Sequence, residues 1–243
     1  MSSPTRCPFS AALFAASSLL FVTSMLKDKK SGSDRNVEKD VEKGAQKESK
    51  YQVVFILGGP GSGKGTQCER LCLDLRSWSH LSAGDLLRAE RKKDDSELAN
   101  VINSNIAAGK IVPSEITVRL LRNAMEEEKQ RSGTTKFLID GFPRSEGNVT
   151  SWKEVMDGVA TLEFAVFLDC PEDTMTSRLL ERGQTSGRND DKLDVIRKRF
   201  QTYRDESMPI VEMYTKEGKC RSIAADRSID EVYADMKSLF KDL

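Results

Sequence analysis

Residues 53–66 read Val-Val-Phe-Ile-Leu-Gly-Gly-Pro-Gly-Ser-Gly-Lys-Gly-Thr, and the order of residue types in this stretch decides the fold. Val53–Leu57 is an unbroken apolar run of strand length, the pattern of a strand buried on both faces. The glycines that follow permit positive φ and a close approach of backbone to an anion. Successive N–H groups then point into one concavity, and a helix starting behind them adds the positive end of its dipole. Lys64 can reach the β- and γ-phosphates of a nucleotide held there. The general pattern is G-x-x-x-x-G-K-[ST]; in this chain Gly65 follows the lysine and the hydroxyl comes one place later, at Thr66.

Outward from this stretch, apolar and periodic segments alternate. Strand character recurs at 137–140 and 165–169, and more weakly at 221–224. Between and after them lies helical periodicity. Ile229, Val232, Tyr233, Met236, Leu239 and Phe240 form one apolar stripe, and Leu193, Ile196, Phe200 and Tyr203 repeat the spacing. Alternating strands and helices predict βαβ units, hence an α/β fold with a mainly parallel sheet covered on both faces. Ligands of such sheets bind at the C-terminal strand ends. The cradle lies at one such end. Asp140 closes the run Phe137-Leu138-Ile139 at another, where an acid serves Mg²⁺ through water, or else caps the loop that follows.

Composition narrows the chemistry. The 243 residues carry 38 basic and 38 acidic side chains, and only 7% are aromatic, so neither a global field nor a stacking platform favours nucleic acid. One histidine, His80, leaves no material for a His-based metal site or a Ser-His-Asp triad. Cys7, Cys68, Cys72, Cys170 and Cys220 include no C-x-x-C pair and read as reduced thiols of an intracellular protein. Phosphoryl transfer needs none of these groups, because positioning and charge neutralisation supply most of its catalysis.

The first 50 residues differ from the rest. Cys7–Leu26 contains no charge but is interrupted by serines and threonine, and it suits a signal peptide, an organelle presequence or a signal anchor. An extension without a role is the remaining alternative. Residues 27–50 hold 14 charged side chains in 24 positions and predict a disordered tether. The folded domain is therefore expected over 51–243.

The set GGPGSGKGTQ, LSAGDLLR (81–88), GKIVP (109–113), FLIDGFPR (137–144), RLLERG (178–183) and SGRNDD (186–191) resembles nucleoside monophosphate kinases of the adenylate kinase superfamily. The resemblance covers 51–243 and keeps the family's motif order and spacing. It implies a P-loop NTPase-type parallel sheet flanked by helices, with an inserted helical acceptor-binding region at 82–112 and a short lid at 181–191. Asn148 and the brief 183–187 segment resemble the UMP/CMP kinase branch, whereas adenylate kinases usually carry glutamine at the position of Asn148. An amide both donates and accepts, so turning it over would serve the uracil or the cytosine edge. An adenylate kinase acting on AMP is the alternative within the superfamily. A nucleotide-dependent regulatory protein would lack the arginines of the DGFPR and SGR motifs. A nucleic-acid motor is at odds with the neutral charge and single short domain.

Roles carry over by position as what the resemblance implies. Gly61, Ser62, Gly63, Lys64, Gly65 and Thr66 hold the ATP phosphates, with Arg182 and Arg227 near the donor. Arg88, Lys110, Ile111, Val112, Gly141, Phe142, Pro143, Arg144 and Asn148 line the acceptor site. Arg144, Arg188 and Arg199, with Lys64, surround the migrating phosphoryl group. Mg²⁺ accompanies ATP, and Asp140 holds it through water. Partners are ATP, UMP and CMP, without nucleic acid, and with a membrane only if residues 7–26 anchor the chain. A cytoplasmic monomer is expected, with the nucleus or an organelle as alternative addresses. The chain departs from the family at Arg227 and Met208, where lysine is usual, and at Lys192, where asparagine is common.

Overall fold

In the computed structural model, which describes residues 50–93, 98–241 and 243 (for Asn189 the backbone only), the apolar run is β1 (Tyr51–Gly58). It is the middle strand of five, in the order β2-β3-β1-β4-β5, and every pairing is parallel. Its companions are β2 (Trp78–Ser82), β3 (Lys136–Asp140), β4 (Ala160–Asp169) and β5 (Cys220–Ala224). Alternate residues of β1 feed opposite cores, Val53, Phe55 and Leu57 on one face and Val54 and Ile56 on the other. All five are buried, which is why the strand reads as a continuous apolar run. The targeting and tether readings of residues 1–49 lie outside the described residues.

Nine α-helices are present among the described residues: α1 (Lys64–Asp74), α2 (Ala83–Glu90), α3 (Ala99–Ala108), α4 (Ser114–Ser132), α5 (Glu146–Met156), α6 (Glu172–Thr185), α7 (Leu193–Thr202), α8 (Met208–Lys216) and α9 (Ile229–Ser238). The two apolar stripes fall on α9 with the turn after it, burying Val232, Met236 and Phe240, and on α7, burying Ile196 and Phe200. Ile229 begins its stripe yet is 55% exposed, because it faces a cleft rather than the core. The sequence reading did not include β2. Its five residues, Trp-Ser-His-Leu-Ser, carry three polar side chains and sit on the sheet edge, so the apolar signal is weak.

The region 82–112 holds α2 and α3 and has a small core of its own, in which Ile102 and Val112 pack with Ile116 of α4. The 181–191 segment is shorter as a loop than expected. Its first half continues α6, and only Ser186–Arg188 separates that helix from a 3-10 turn at Asn189–Asp191. From β1 the chain passes over β3 to the edge strand β2, then returns to β3 and crosses β1 to β4. Connections therefore leave β1 and β3 in opposite directions, which opens a crevice at their C-terminal ends.

Candidate functional site

The glycine-rich loop ends at that crevice. Gly63 caps α1 with φ +91°, a conformation glycine adopts at no steric cost. No side chain caps the first turn of α1 and no acid lies in it, so its N–H groups and positive dipole end stay available to an anion. Lys64 Nζ folds back over the loop and donates to the carbonyls of Gly58 (2.9 Å) and Gly59 (2.8 Å) and to Ser62 Oγ (3.3 Å). Burial lowers its ammonium pKa to about 8, and the nearby charges of Arg144 and Arg199 push the same way against Asp140. No carboxylate forms an ion pair with it among the described residues.

Asp140 ends β3 opposite Ile56 of β1 and is 9% exposed. A Cβ on Gly65 would stand 3.7 Å from Asp140 Oδ2, so the carboxylate faces the first turn of α1. His80 Nε2, from the strand missed in sequence, lies 3.6 Å from the same oxygen. Burial alone would raise the Asp140 carboxyl, but His80, Lys64 and Arg144 outweigh it and hold the group below the usual carboxylate range. No cluster of three or more metal-ligating His, Cys, Asp or Glu side chains occurs among the described residues. A single buried carboxylate beside a phosphate cradle nevertheless fits Mg²⁺, which keeps much of its water and takes phosphate oxygens as further ligands.

Around this point the sequence-derived arginines gather on one cleft of about 620 Å³. Arg144 donates from Nε to the Gly141 carbonyl (2.6 Å) and has no carboxylate partner among the described residues. Burial and the charge of Arg199 lower its pKa to about 10. Gly141 has φ +70°, where a side chain is strained, and a Cβ there would meet Arg144 Nη2 at 2.6 Å and displace the guanidinium from this position. Arg199 is held by Asp190 (3.0 Å) and Asp191 (3.1 Å), and Arg182 forks onto Asp191 with two bonds of 2.7 Å. Arg88 and Arg188 share Asp85 Oδ1 at 2.6 and 3.2 Å. Asp85 had no assigned role in sequence, yet it joins α2 to the loop after α6. Thr202 adds a second tie across the cleft by donating to the Gly109 carbonyl (3.0 Å).

Gly61, Ser62, Gly63, Gly65, Thr66, Lys110, Ile111, Val112, Pro143, Asn148 and Arg227 line the same cleft. Phe142 does not. It is fully buried, with its ring 5.7 Å from Phe55 and 5.4 Å from Trp152, so this member of the DGFPR motif anchors the loop in the core rather than touching a ligand. The loop is further held by Ser207, which donates to the Arg144 carbonyl (2.9 Å) from a π-helical turn at Tyr203–Ser207. Met208, beside it, packs partly buried against the core.

The Asn148 reading also needs correction. Its Oδ1 accepts from the Arg144 backbone N–H (3.0 Å) and its Nδ2 donates to Ser114 Oγ (2.9 Å). A backbone N–H cannot accept, so turning the amide over would set donor against donor. The amide orientation is fixed. Sequence reasoning also passed over Arg178 and Gln67. Arg178 donates to the Ala225 carbonyl (2.9 Å) and Gln67 to that of Ile229 (3.0 Å), bracing the segment between β5 and α9 that walls the cleft. Both stand inside quoted motifs, RLLERG and GKGTQ, which was the available signal. Arg227, on the cleft wall, pairs with Asp235 while its Nε donates to the Ala224 carbonyl (3.1 Å).

The family model for adenylate kinase matches residues 56–219. A UMP-CMP kinase of Danio rerio is 52% identical over 193 residues, 79% of this chain and 98% of that protein. UMP-CMP kinases of Xenopus tropicalis (50%; 77% of this chain, 96% of theirs) and Bos taurus (47%; 79% and 97%) are similar over the same extent. The arrangement of cradle, carboxylate and arginines, and these likenesses, lead to one conclusion: the chain belongs to the adenylate kinase family, on the branch formed by the UMP-CMP kinases.

Proposed function

We propose that the chain transfers the γ-phosphoryl group of Mg·ATP to UMP or CMP, giving ADP and UDP or CDP. The observation that carries this reading is the buried Arg144 guanidinium beside the buried Lys64 ammonium at the switch-point crevice, neither in an ion pair among the described residues. Two cations in a recess, with only the Asp140 carboxylate near both among the described residues, call for a polyanion. ATP phosphates lie along Gly61–Thr66 and the first N–H groups of α1. Arg88 and Arg144 take the acceptor phosphate, where a planar fork offers paired bonds to oxygen. Arg188 and Arg199, now resting on Asp85, Asp190 and Asp191, turn toward the migrating group once its charge competes with those acids. Asp140 would hold magnesium through water, and the bound ion would neutralise phosphate charge as it shifts from donor to acceptor. Closing the lid over both nucleotides excludes water and so suppresses ATP hydrolysis.

An acceptor panel tests the reading. With Mg·ATP and AMP, UMP or CMP at equal concentration, the two pyrimidine nucleotides are phosphorylated well ahead of AMP. A preference for AMP refutes it. The proposal extends to a monomer resident in the cytoplasm and indifferent to nucleic acid. Imaging the full chain beside one lacking residues 1–26 tests that address, and a changed distribution would assign those residues a targeting role.

Lys64 gives a pH prediction. Its folded pKa of about 8 lies below the ordinary 10.5, so between those values the folded protein binds fewer protons than the unfolded chain. Stability without nucleotide therefore rises with pH across that window. ATP binding runs the other way, because the triphosphate favours the ammonium form and binding above pH 8 must take up a proton. The ATP dissociation constant then rises by up to about tenfold per pH unit above that point. Calorimetry in two buffers of different ionisation heat measures the uptake; none at pH 9 would contradict the assignment.

A further inference from the structure

Uracil and cytosine present opposite edges. Uracil offers an acceptor at O4 and a donor at N3, and cytosine a donor at N4 and an acceptor at N3. A pocket that takes both needs a group able to exchange roles. Asn148 cannot be that group, since the Arg144 N–H and Ser114 hold its 2% exposed amide in one orientation. Ile111 and Val112 are apolar, and Arg88 and Arg144 only donate.

A hydroxyl is different, because its proton rotates. Most hydroxyls on the cleft are already engaged or lie at the other end. Thr202 donates to Gly109, Ser207 donates to Arg144, and Ser82 caps α2 by accepting from the Asp85 N–H. Ser62 and Thr66 belong to the phosphate loop, and the Tyr203 ring packs toward Gly59 of that same loop. Thr117 remains. It lies on α4 three residues after Ser114, hence on the same helix face as the hydroxyl that touches Asn148. It is 6% exposed and lines the cleft with Asn148, Ile111 and Val112. Its hydroxyl makes no hydrogen bond among the described residues.

We propose that Thr117 is the residue through which one acceptor pocket accommodates both pyrimidines: its hydroxyl donates to O4 of uracil or accepts from N4 of cytosine. Asn148, pinned by Arg144 and Ser114, supplies the unchanging part of the recognition. The inference rests on the pyrimidine-kinase reading above.

The test uses the full chain and steady-state kinetics with UMP and with CMP at saturating Mg·ATP. Thr117→Val keeps shape and branching but removes the hydroxyl; Thr117→Ser keeps the hydroxyl. The valine variant raises KM for both acceptors by about tenfold with KM for ATP unchanged, and serine stays within about threefold of wild type. Thr117→Ala is read in the same way if the valine variant does not fold. The inference is overturned if the hydroxyl-free variant leaves both acceptors unaffected, impairs one base only, or raises KM for ATP equally. Serine behaving like valine overturns it as well. Wild-type protein inactive on both pyrimidines overturns the functional reading and this inference together; active wild type with an unaffected variant overturns the inference alone.

Discussion

Replacing Arg144 by alanine lowers kcat/KM for the acceptor by about 10³- to 10⁵-fold, the range for removing one arginine from a phosphoryl-transfer site. That corresponds to roughly 4–7 kcal/mol of transition-state stabilisation. The loss is large because nothing replaces the group. Arg88 and Arg188 rest on Asp85, and Arg199 on Asp190 and Asp191, whereas Arg144 forms no ion pair with a carboxylate among the described residues. The dissociation constant for ATP, set mainly by the loop and Lys64, stays within about threefold of wild type, which separates loss of transition-state contact from loss of binding. Arg144→Lys recovers little, because an ammonium cannot reproduce the planar fork. Near-normal turnover in the alanine variant would remove Arg144 from the mechanism.

Phe55→Ala is the most damaging change away from the chemistry. Phe55 is fully buried on the central strand, with ring centroids of Phe142, Trp152 and Tyr214 at 5.7, 5.2 and 6.2 Å. Truncation leaves a cavity under three aromatic rings and costs about 3–5 kcal/mol. For a domain of this size the melting temperature falls by roughly 6–20 °C. The ring also supports Phe142, and so the loop carrying Arg144. A variant that still folds at the assay temperature therefore loses acceptor turnover before it loses ATP binding. A melting point within about 2 °C of wild type would contradict the packing described.

The cradle, Asp140 and the arginines were legible in sequence because anion binding restricts residue type: glycine where backbone must approach phosphate, arginine where oxygens are gripped in pairs. The central strands were legible for a related reason. A strand buried on both faces tolerates only apolar residues, as Val53–Leu57 and Phe137–Ile139 show. β2 was not, since an edge strand can carry Ser79, His80 and Ser82. Nor were the acids that hold the arginines. Asp85, Asp190 and Asp191 look like surface charges until the fold brings α2, α6 and α7 together. Phe142 and Asn148 show a subtler limit. A motif says which residues travel together, but not which of them turns inward or which of its atoms are already bonded. Phe142 serves the core, and the Asn148 amide is fixed by a backbone N–H four residues earlier in the chain.

The central claim is that two nucleotides lie end to end in one cleft and the phosphoryl group passes directly between them. ATP made chiral at the γ-phosphorus by oxygen isotopes tests it in a single measurement, with UMP as acceptor. UDP is expected to carry the label with configuration inverted at phosphorus, the result of one in-line displacement. Retention of configuration, which requires a phosphorylated enzyme between donor and acceptor, would contradict it.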